Sequence, residues 1–484
     1  MISTLDYKGG FIWVMKAARK YSLILATVLY AVILLFESCQ DKDDEIVWLE
    51  EGEQFSGGST TVHDESVNAF GNAAPNLIGD KDLIFVTGNS FFNRNWVTAP
   101  SSTEDLDGLG PFFIARSCSS CHFKDGKGAP PEEGEQPVSL LFRLSIPGDS
   151  ETGGPIGEPS YGDQFATNSI LGVTSEGSVE ITYETISGSF ADGEIYTLRK
   201  PQYNFTNLGY GNFHASTMVS PRVAQHMIGL GLLEAIDEVT LNEYADENDT
   251  NGDGISGRIN WVWDFEAQTA KIGRFGWKAN QPSVRQQVAG AFAGDIGITS
   301  SVFPEQACSS AEEDCQNAVN GGEPELKESI LEKVTLYSSA LAVPKRRNWD
   351  DAEVLKGKQL FFEANCTACH IPKITTGNHP DFPEFSNEVI RPYTDMLLHD
   401  MGDELADGRP DYLADGNEWR TPPLWGIGLI EEVNGHTNFM HDGRARSLEE
   451  AILWHGGEAG ASKQEFLNME KTDRQFLIQF LESL

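Results

Sequence analysis

Basic residues are in short supply. Thirty-five lysines and arginines stand against 73 aspartates and glutamates, a net charge of −38 over 484 residues. Such a surface repels polyanions, which excludes nucleic acid as a partner. It attracts basic proteins, although the same charge also serves plain solubility. Long apolar runs are lacking as well. The run from Tyr21 to Phe36 is short for a bilayer span, follows Lys16, Arg19 and Lys20, and ends at Glu37-Ser38-Cys39 before the acidic stretch Asp41 to Glu45. That order is the order of a secretory signal. Residues 1–38 are therefore expected to be removed, with Met15 as an alternative start, because nothing before it has targeting logic. A small residue before Cys39 suggests lipoprotein processing, although Phe36 and Glu37 are poor lipobox residues. The expected location is the periplasm or cell envelope, with an anchor at Cys39.

Cysteine is scarce too: there are seven, an odd number for an exported chain. Four of them fall in two copies of one pattern, Cys118-Ser119-Ser120-Cys121-His122 and Cys366-Thr367-Ala368-Cys369-His370. Cys-x-x-Cys-His places two thiols where they add to the vinyl groups of a haem and an imidazole where it reaches the iron. A redox pair or half of a zinc site needs only the cysteines, and the histidine in both copies weighs against it. Two covalent c-type haems are expected, with His122 and His370 as axial ligands. Cys308 and Cys315 lie in a polar loop, where an oxidising compartment favours a local disulfide. A small, basic, electron-carrying cytochrome would suit the acidic surface as a partner.

Along the chain, residues 39–91 read as an irregular, Gly/Ser/Asn-rich lead-in. Between residues 138 and 210 short alternating runs such as Val179-Glu180-Ile181-Thr182-Tyr183, separated by turn residues, predict a β insertion. Helical periodicity is read at Pro221 to Ile236, Ser283 to Phe292, Pro324 to Leu341, Asp351 to Glu363, Leu448 to Trp454 and Thr472 to Leu484. The expected fold is mainly α: two cytochrome c-like haem domains, 92–323 and 324–484, with a β-rich insertion in the first. Near the C-terminus Ser447 and Glu450 form a capping box, and Leu448, Ala451, Ile452 and His455 share one face before Gly456-Gly457. An inward histidine is usually a core residue, but a haem nearby favours a ligand.

The stretch from Phe439 to Ile452, with Met440-His441-Asp442-Gly443-Arg444, resembles the C-terminal motif of bacterial dihaem cytochrome c peroxidases and is similar to that of the methylamine-utilisation dihaem enzyme. The branch called di-haem or thiol oxidoreductases matches further, at Asp105 to Pro111, Gly229 to Ile236, Gly273 to Ala279, His399 to Gly402 and Trp419 to Trp425. The resemblance runs from about Phe92 to Leu484. It implies that His455 takes the sixth-ligand position of the C-terminal haem, where peroxidases have methionine and the methylamine enzyme tyrosine. Met440, Met396 and Met401 are the rivals. It implies that His441 lies near that haem's propionates, Trp277 relays electrons between the haems, and Gln287 and Asp295 serve catalysis as the family's glutamine and glutamate do. Without the resemblance, Trp277 reads as core and Gln287 and Asp295 as helix surface and cap. A histidine over the N-terminal haem aligns with neither candidate, His214 or His226. Asp249, Asn251 and Asp253 alternate as in half an EF-hand, and relatives hold a structural calcium between their haems. Asn260 stands where the final glutamate belongs, so binding is expected to be weak, and consecutive Asn-Gly and Asp-Gly turns explain the same residues.

The leading expectation is an exported dihaem oxidoreductase that reduces peroxide or another small oxidant at the N-terminal haem, with electrons fed from the C-terminal one. The rival is a dihaem electron-transfer protein serving a redox or iron-acquisition partner. Thiol oxidation has no support, because each cysteine already has a role. Mass spectrometry of denatured protein should show the chain plus two haems, and one or none would refute the two-haem reading. Cys39→Ser should move the protein from the membrane fraction to the soluble one.

Overall fold

The sheet system is built on the strand Leu140–Asp149, whose alternating burial marks one face as core. It pairs antiparallel with Met218–Val223 along six residues, Leu140↔Val223 to Ser145↔Met218, and with the two short strands Pro155–Ile156 and Gln164–Phe165. Beside it stands a long antiparallel hairpin, Ser178–Ser189 against Ile195–Thr206, in unbroken register. The β insertion expected at residues 138–210 is therefore present. The computed structural model describes residues 48–484, so the signal segment and Cys39 lie outside the described residues. Residues Glu51–Leu484 form one unit, and one hydrophobic cluster runs through it from Ala69 to Leu484.

The expectation of a mainly α fold is overturned: 28% of the residues are helical, 19% are in strands, and the strands are spread over many small sheets. One cause is local. Pro221 to Ile236 carries helical periodicity, but its first residues find ladder partners in Leu140–Asp149, and only Leu230–Glu234 is helix. Pairing with a strand more than 70 residues away outweighs a weak local preference. The other cause is the haem-motif regions, which consist of single turns, loops and two-stranded ribbons such as Leu398–Asp400 with Glu418–Arg420.

Where sequence signals are strong, helices sit where expected. Ser283 caps Val284–Ala291 by accepting from the N–H of Gln286, Asp351 caps Ala352–Glu363, and Ser447 caps Leu448–Trp454 by accepting from the N–H of Glu450 at 3.1 Å. The helix Lys81–Asn93 inside the lead-in was not foreseen, because Gly88 and β-branched residues weaken its signal. It forms through packing. A side chain at Gly88 would collide with the carbonyl of Lys333, and this close approach brings Phe85 within 4.8 Å of Tyr337 between ring centres. Cys308 and Cys315 are disulfide-bonded, as expected.

The hairpin also clasps the C-terminal region. Arg199 donates to Asn438 Oδ1 at 2.7 Å and to the carbonyls of Gly443 and Arg444, and Tyr203 donates to Asp442 Oδ2 at 3.2 Å. The loop carrying His441 is thereby held by a part of the chain some 240 residues earlier. A second clamp is the buried pair Lys278 and Asp407, 2.8 Å apart, in which Nζ also donates to the carbonyls of Arg409 and Asp415. Lys278→Met strands the Asp407 charge and should cost about 3–5 kcal/mol. Losing the Ser447 cap in Ser447→Ala should cost about 1 kcal/mol. Urea unfolding of the two variants checks the ranking, and equal losses would refute it.

Candidate haem sites

Each Cys-x-x-Cys-His motif folds into one turn. Cys118–Cys121 is a single helical turn and Cys366–Ala368 a 3₁₀ turn. In both, the histidine N–H closes the turn on the first cysteine's carbonyl, His122 on Cys118 at 2.9 Å and His370 on Cys366 at 3.0 Å. Both sulfurs and the imidazole are thus gathered by local geometry. Burial pushes the Cys118 and Cys366 thiols up to about 12, and those of Cys121 and Cys369 upward as well. Neutral thiols fit thioether formation, and they disfavour a thiolate redox pair.

The histidines share one arrangement. His122 Nδ1 lies 2.7 Å from the carbonyl of Gln225, His370 Nδ1 2.9 Å from that of Tyr393, and His455 Nδ1 2.7 Å from that of Ala451. A carbonyl oxygen only accepts, so each Nδ1 carries the proton and each Nε2 keeps a lone pair. Burial disfavours the imidazolium in all three, bringing His122 and His370 down to about 4. Neutral imidazole with Nε2 unprotonated is the form that binds iron.

Cys366, Cys369, His370 and His455 all line a cavity of about 210 Å³ whose walls are largely apolar, with Phe361, Leu448 and Leu481 among them. His455 follows the last residue of the Leu448–Trp454 helix rather than lying within it, and the turn there aims its ring at the cavity. Met440 and Met401 border the same cavity, while Met396 is buried elsewhere. The donor set fits a covalent haem: two thiols, a proximal imidazole, a second imidazole on the same cavity and an apolar lining.

Trp277 borders this cavity, and its indole N–H donates to the carbonyl of Val223 at 2.8 Å. Val223 in turn donates its N–H to the carbonyl of His441. His441 is buried, stacks on Trp419 at 3.7 Å between ring centres, and lies on the same cavity. Burial brings its pKa down to about 3.

Asp295 lies beside the first motif, close enough that its charge raises the Cys118 and Cys121 thiols. Its own carboxyl is pushed up by burial. Its amide partner is Gln164, which donates to Oδ1 at 2.8 Å. Gln287 is turned instead toward Gly276, on the loop that carries Trp277. Gln164 had no sequence signal, since it belongs to a two-residue strand 131 positions from Asp295. His226 borders the large cavity with a buried Nε2 that has no hydrogen-bond partner, whereas His214 is exposed.

His399 is a further residue missed as a site candidate, although it stands in a recognised stretch. It is buried between Asp395 Oδ2 at 2.8 Å and Glu458 Oε2 at 2.7 Å, and its Nδ1 is 3.7 Å from Cys369 Sγ. In the Asp249–Asp253 loop the side-chain oxygens of Asp249, Asn251 and Asp253 accept from backbone N–H groups of the loop itself. Asn260 faces the core, bonded to the carbonyls of Lys278 and Asp411.

A comparison with curated proteins finds no match. Among solved structures, a chain of hydrazine synthase from Kuenenia stuttgartiensis, pressurised with xenon, aligns over 82% of this chain and 92% of its own. Its 13% identity and TM-score of 0.31 are too low to bear on the fold or the chemistry. The family model described as "Di-haem oxidoreductase, putative peroxidase" matches residues 52–484, a span that takes in both haem motifs, Trp277 and His455, and the chain belongs to that family.

Proposed function

We propose that this oxidoreductase is an exported c-type dihaem protein that reduces peroxide, or another small oxidant, at the N-terminal motif with electrons entering at the C-terminal one. The observation that carries the reading is the pair His370 and His455. Both imidazoles border one apolar cavity with Nδ1 occupied by a carbonyl, which leaves two Nε2 atoms to close an iron between them. A site closed on both sides transfers electrons, so substrate chemistry falls to the other motif.

Haem iron supplies one-electron transfer and, where a coordination position is open, cleavage of an O–O bond. The chain's own residues supply the rest. Trp277 is suited to relay, because it borders the C-terminal cavity while its indole bonds Val223, two residues before the Gln225 that holds His122. Asp295 is suited to general acid catalysis. Burial raises its pKa, which enlarges the protonated fraction available to a departing oxygen, and Gln164 fixes its orientation. The secretory pattern and Cys39 support an envelope location, and the charge of −38 supports a basic cytochrome as donor. One observation favours the second reading, electron transfer alone: the unpartnered Nε2 of His226 lies near enough to His122 for their charges to interact, and a second histidine on the N-terminal iron would close it.

Absorption and EPR spectra of the oxidised holoprotein separate the two readings, because one high-spin haem supports the peroxidase and two low-spin haems support the carrier. His455→Ala should turn the C-terminal haem high-spin, while Met440→Leu should leave it unchanged. A far-red charge-transfer band that Met440→Leu abolishes would instead assign the methionine. Asp295→Asn should lower peroxide turnover by roughly 10²-fold, at the low end for a lost general acid. A group active when protonated loses activity as pH rises through its raised pKa, so the variant should also lose that alkaline limb of the rate profile.

A further inference from the structure

Buried cations in this protein generally meet carboxylates. Lys278 lies 2.8 Å from Asp407, Arg222 2.9 Å from Asp411 and Arg444 2.9 Å from Asp442, and Arg474 reaches both Asp192 and Glu194. The pattern follows from the cost of holding a charge away from water without its counter-charge. Two cations on the wall of the large cavity depart from it. Lys127 is 7% exposed and Arg420 4% exposed, and neither forms an ion pair among the described residues.

Their hydrogen bonds leave capacity unspent. Lys127 Nζ donates to the carbonyl of Met440 at 3.2 Å and lies 4.9 Å above the Trp277 ring, so two of its three protons have no acceptor. Arg420 donates from Nε to Gly276 and from Nη1 to Thr421, and reaches Gln225 Oε1 from Nη2 only at 3.4 Å. The nearest carboxylates are engaged elsewhere, Asp442 with Arg444 and Asp395 with His399. Both cations stand beside Trp277: Lys127 Nζ lies over its ring, and Arg420 Nε donates to the carbonyl of the preceding residue, Gly276, at 2.9 Å.

A haem joined to cysteines through its vinyl edge carries two propionate carboxylates on the opposite edge. Those two negative charges match the two unpaired positive ones in number, sign and burial. We infer that Lys127 and Arg420 bind the propionates of the haem attached at Cys366 and Cys369, and so turn its propionate edge toward Trp277. The inference rests on the covalent attachment proposed above and adds the residues that orient the group. It makes Lys127 and Arg420 positioning residues, because they fix which edge of the macrocycle meets the relay tryptophan.

The test is a redox titration of the full holoprotein followed at the C-terminal haem, with resonance Raman spectra of the propionate bending bands. Removing a nearby cation disfavours the reduced, more negative state, so Lys127→Met and Arg420→Gln should each lower the potential. The expected size is a tenfold or greater change in the reduction equilibrium, about 59 mV for one electron. The charge-retaining variants Lys127→Arg and Arg420→Lys should keep the potential near wild type while shifting the bending bands, because hydrogen-bond geometry changes and charge does not. These two also serve if a neutral variant fails to fold. Variants that hold two haems by pyridine haemochromogen assay, with potential and bands as in wild type, would overturn the inference and leave the proposed function standing. A wild-type protein with no haem at Cys366 and Cys369 would overturn the function itself.

Discussion

An imidazole offers iron a lone pair only when its other nitrogen carries the proton and the ring is neutral. The surroundings of His122, His370 and His455 meet that requirement. Gln225, Tyr393 and Ala451 each turn a main-chain carbonyl onto an Nδ1, and each sits in a different part of the chain. A carbonyl is well suited to the task. It cannot donate, it does not titrate, and its position is set by backbone that is already paired or packed. Burial acts in the same direction, since it penalises the imidazolium and holds His122 and His370 neutral far below physiological pH. His399 shows the contrary case in the same molecule. Desolvation also opposes its charge, but the carboxylates of Asp395 and Glu458 outweigh that penalty and hold its pKa well above the ordinary value.

The segment from Val223 to Gln225 connects the two halves of the site. Val223 ends a strand fixed by its ladder to Leu140–Asp149, and it bonds the indole of Trp277 on one side and the backbone of His441 on the other. Two residues later, Gln225 holds His122 through its carbonyl and meets Arg420 through its side chain. Sheet register therefore reaches both motifs. A slip of one residue in that ladder would reverse every side chain on the strand and displace the carbonyls on which Trp277 and His122 depend. The β insertion is in this sense part of the architecture around both motifs, and its hairpin clasps the His441 loop from the other side.

Much of the candidate site was legible because the Cys-x-x-Cys-His pattern is local. Two thiols and an imidazole must reach one macrocycle from a single turn, so five contiguous residues carry the signal wherever the fold puts them. The Ser447 and Glu450 cap was legible for the same reason, and it set the start of the helix that leads to His455. Fold class was not. Helical periodicity at Pro221 to Ile236 was real but lost to a ladder partner far away in sequence, and the helix Lys81–Asn93 owes its existence to a close packing contact at Gly88. Neither partner can be read from a local window.

The sequence by itself determined the two Cys-x-x-Cys-His turns and the local disulfide between Cys308 and Cys315, because each rests on contiguous or nearly contiguous residues, and membership of the di-haem oxidoreductase family, which is carried by stretches spread over residues 52–484. Only the tertiary structure decided that His370 and His455 share a cavity, that Gln164 rather than Gln287 holds Asp295, and that Lys127 and Arg420 stand buried without carboxylates beside Trp277. The physical reason is distance along the chain. Hydrogen bonds and burial act over a few ångströms in space, and the groups they join here lie from about 85 to nearly 300 positions apart in sequence.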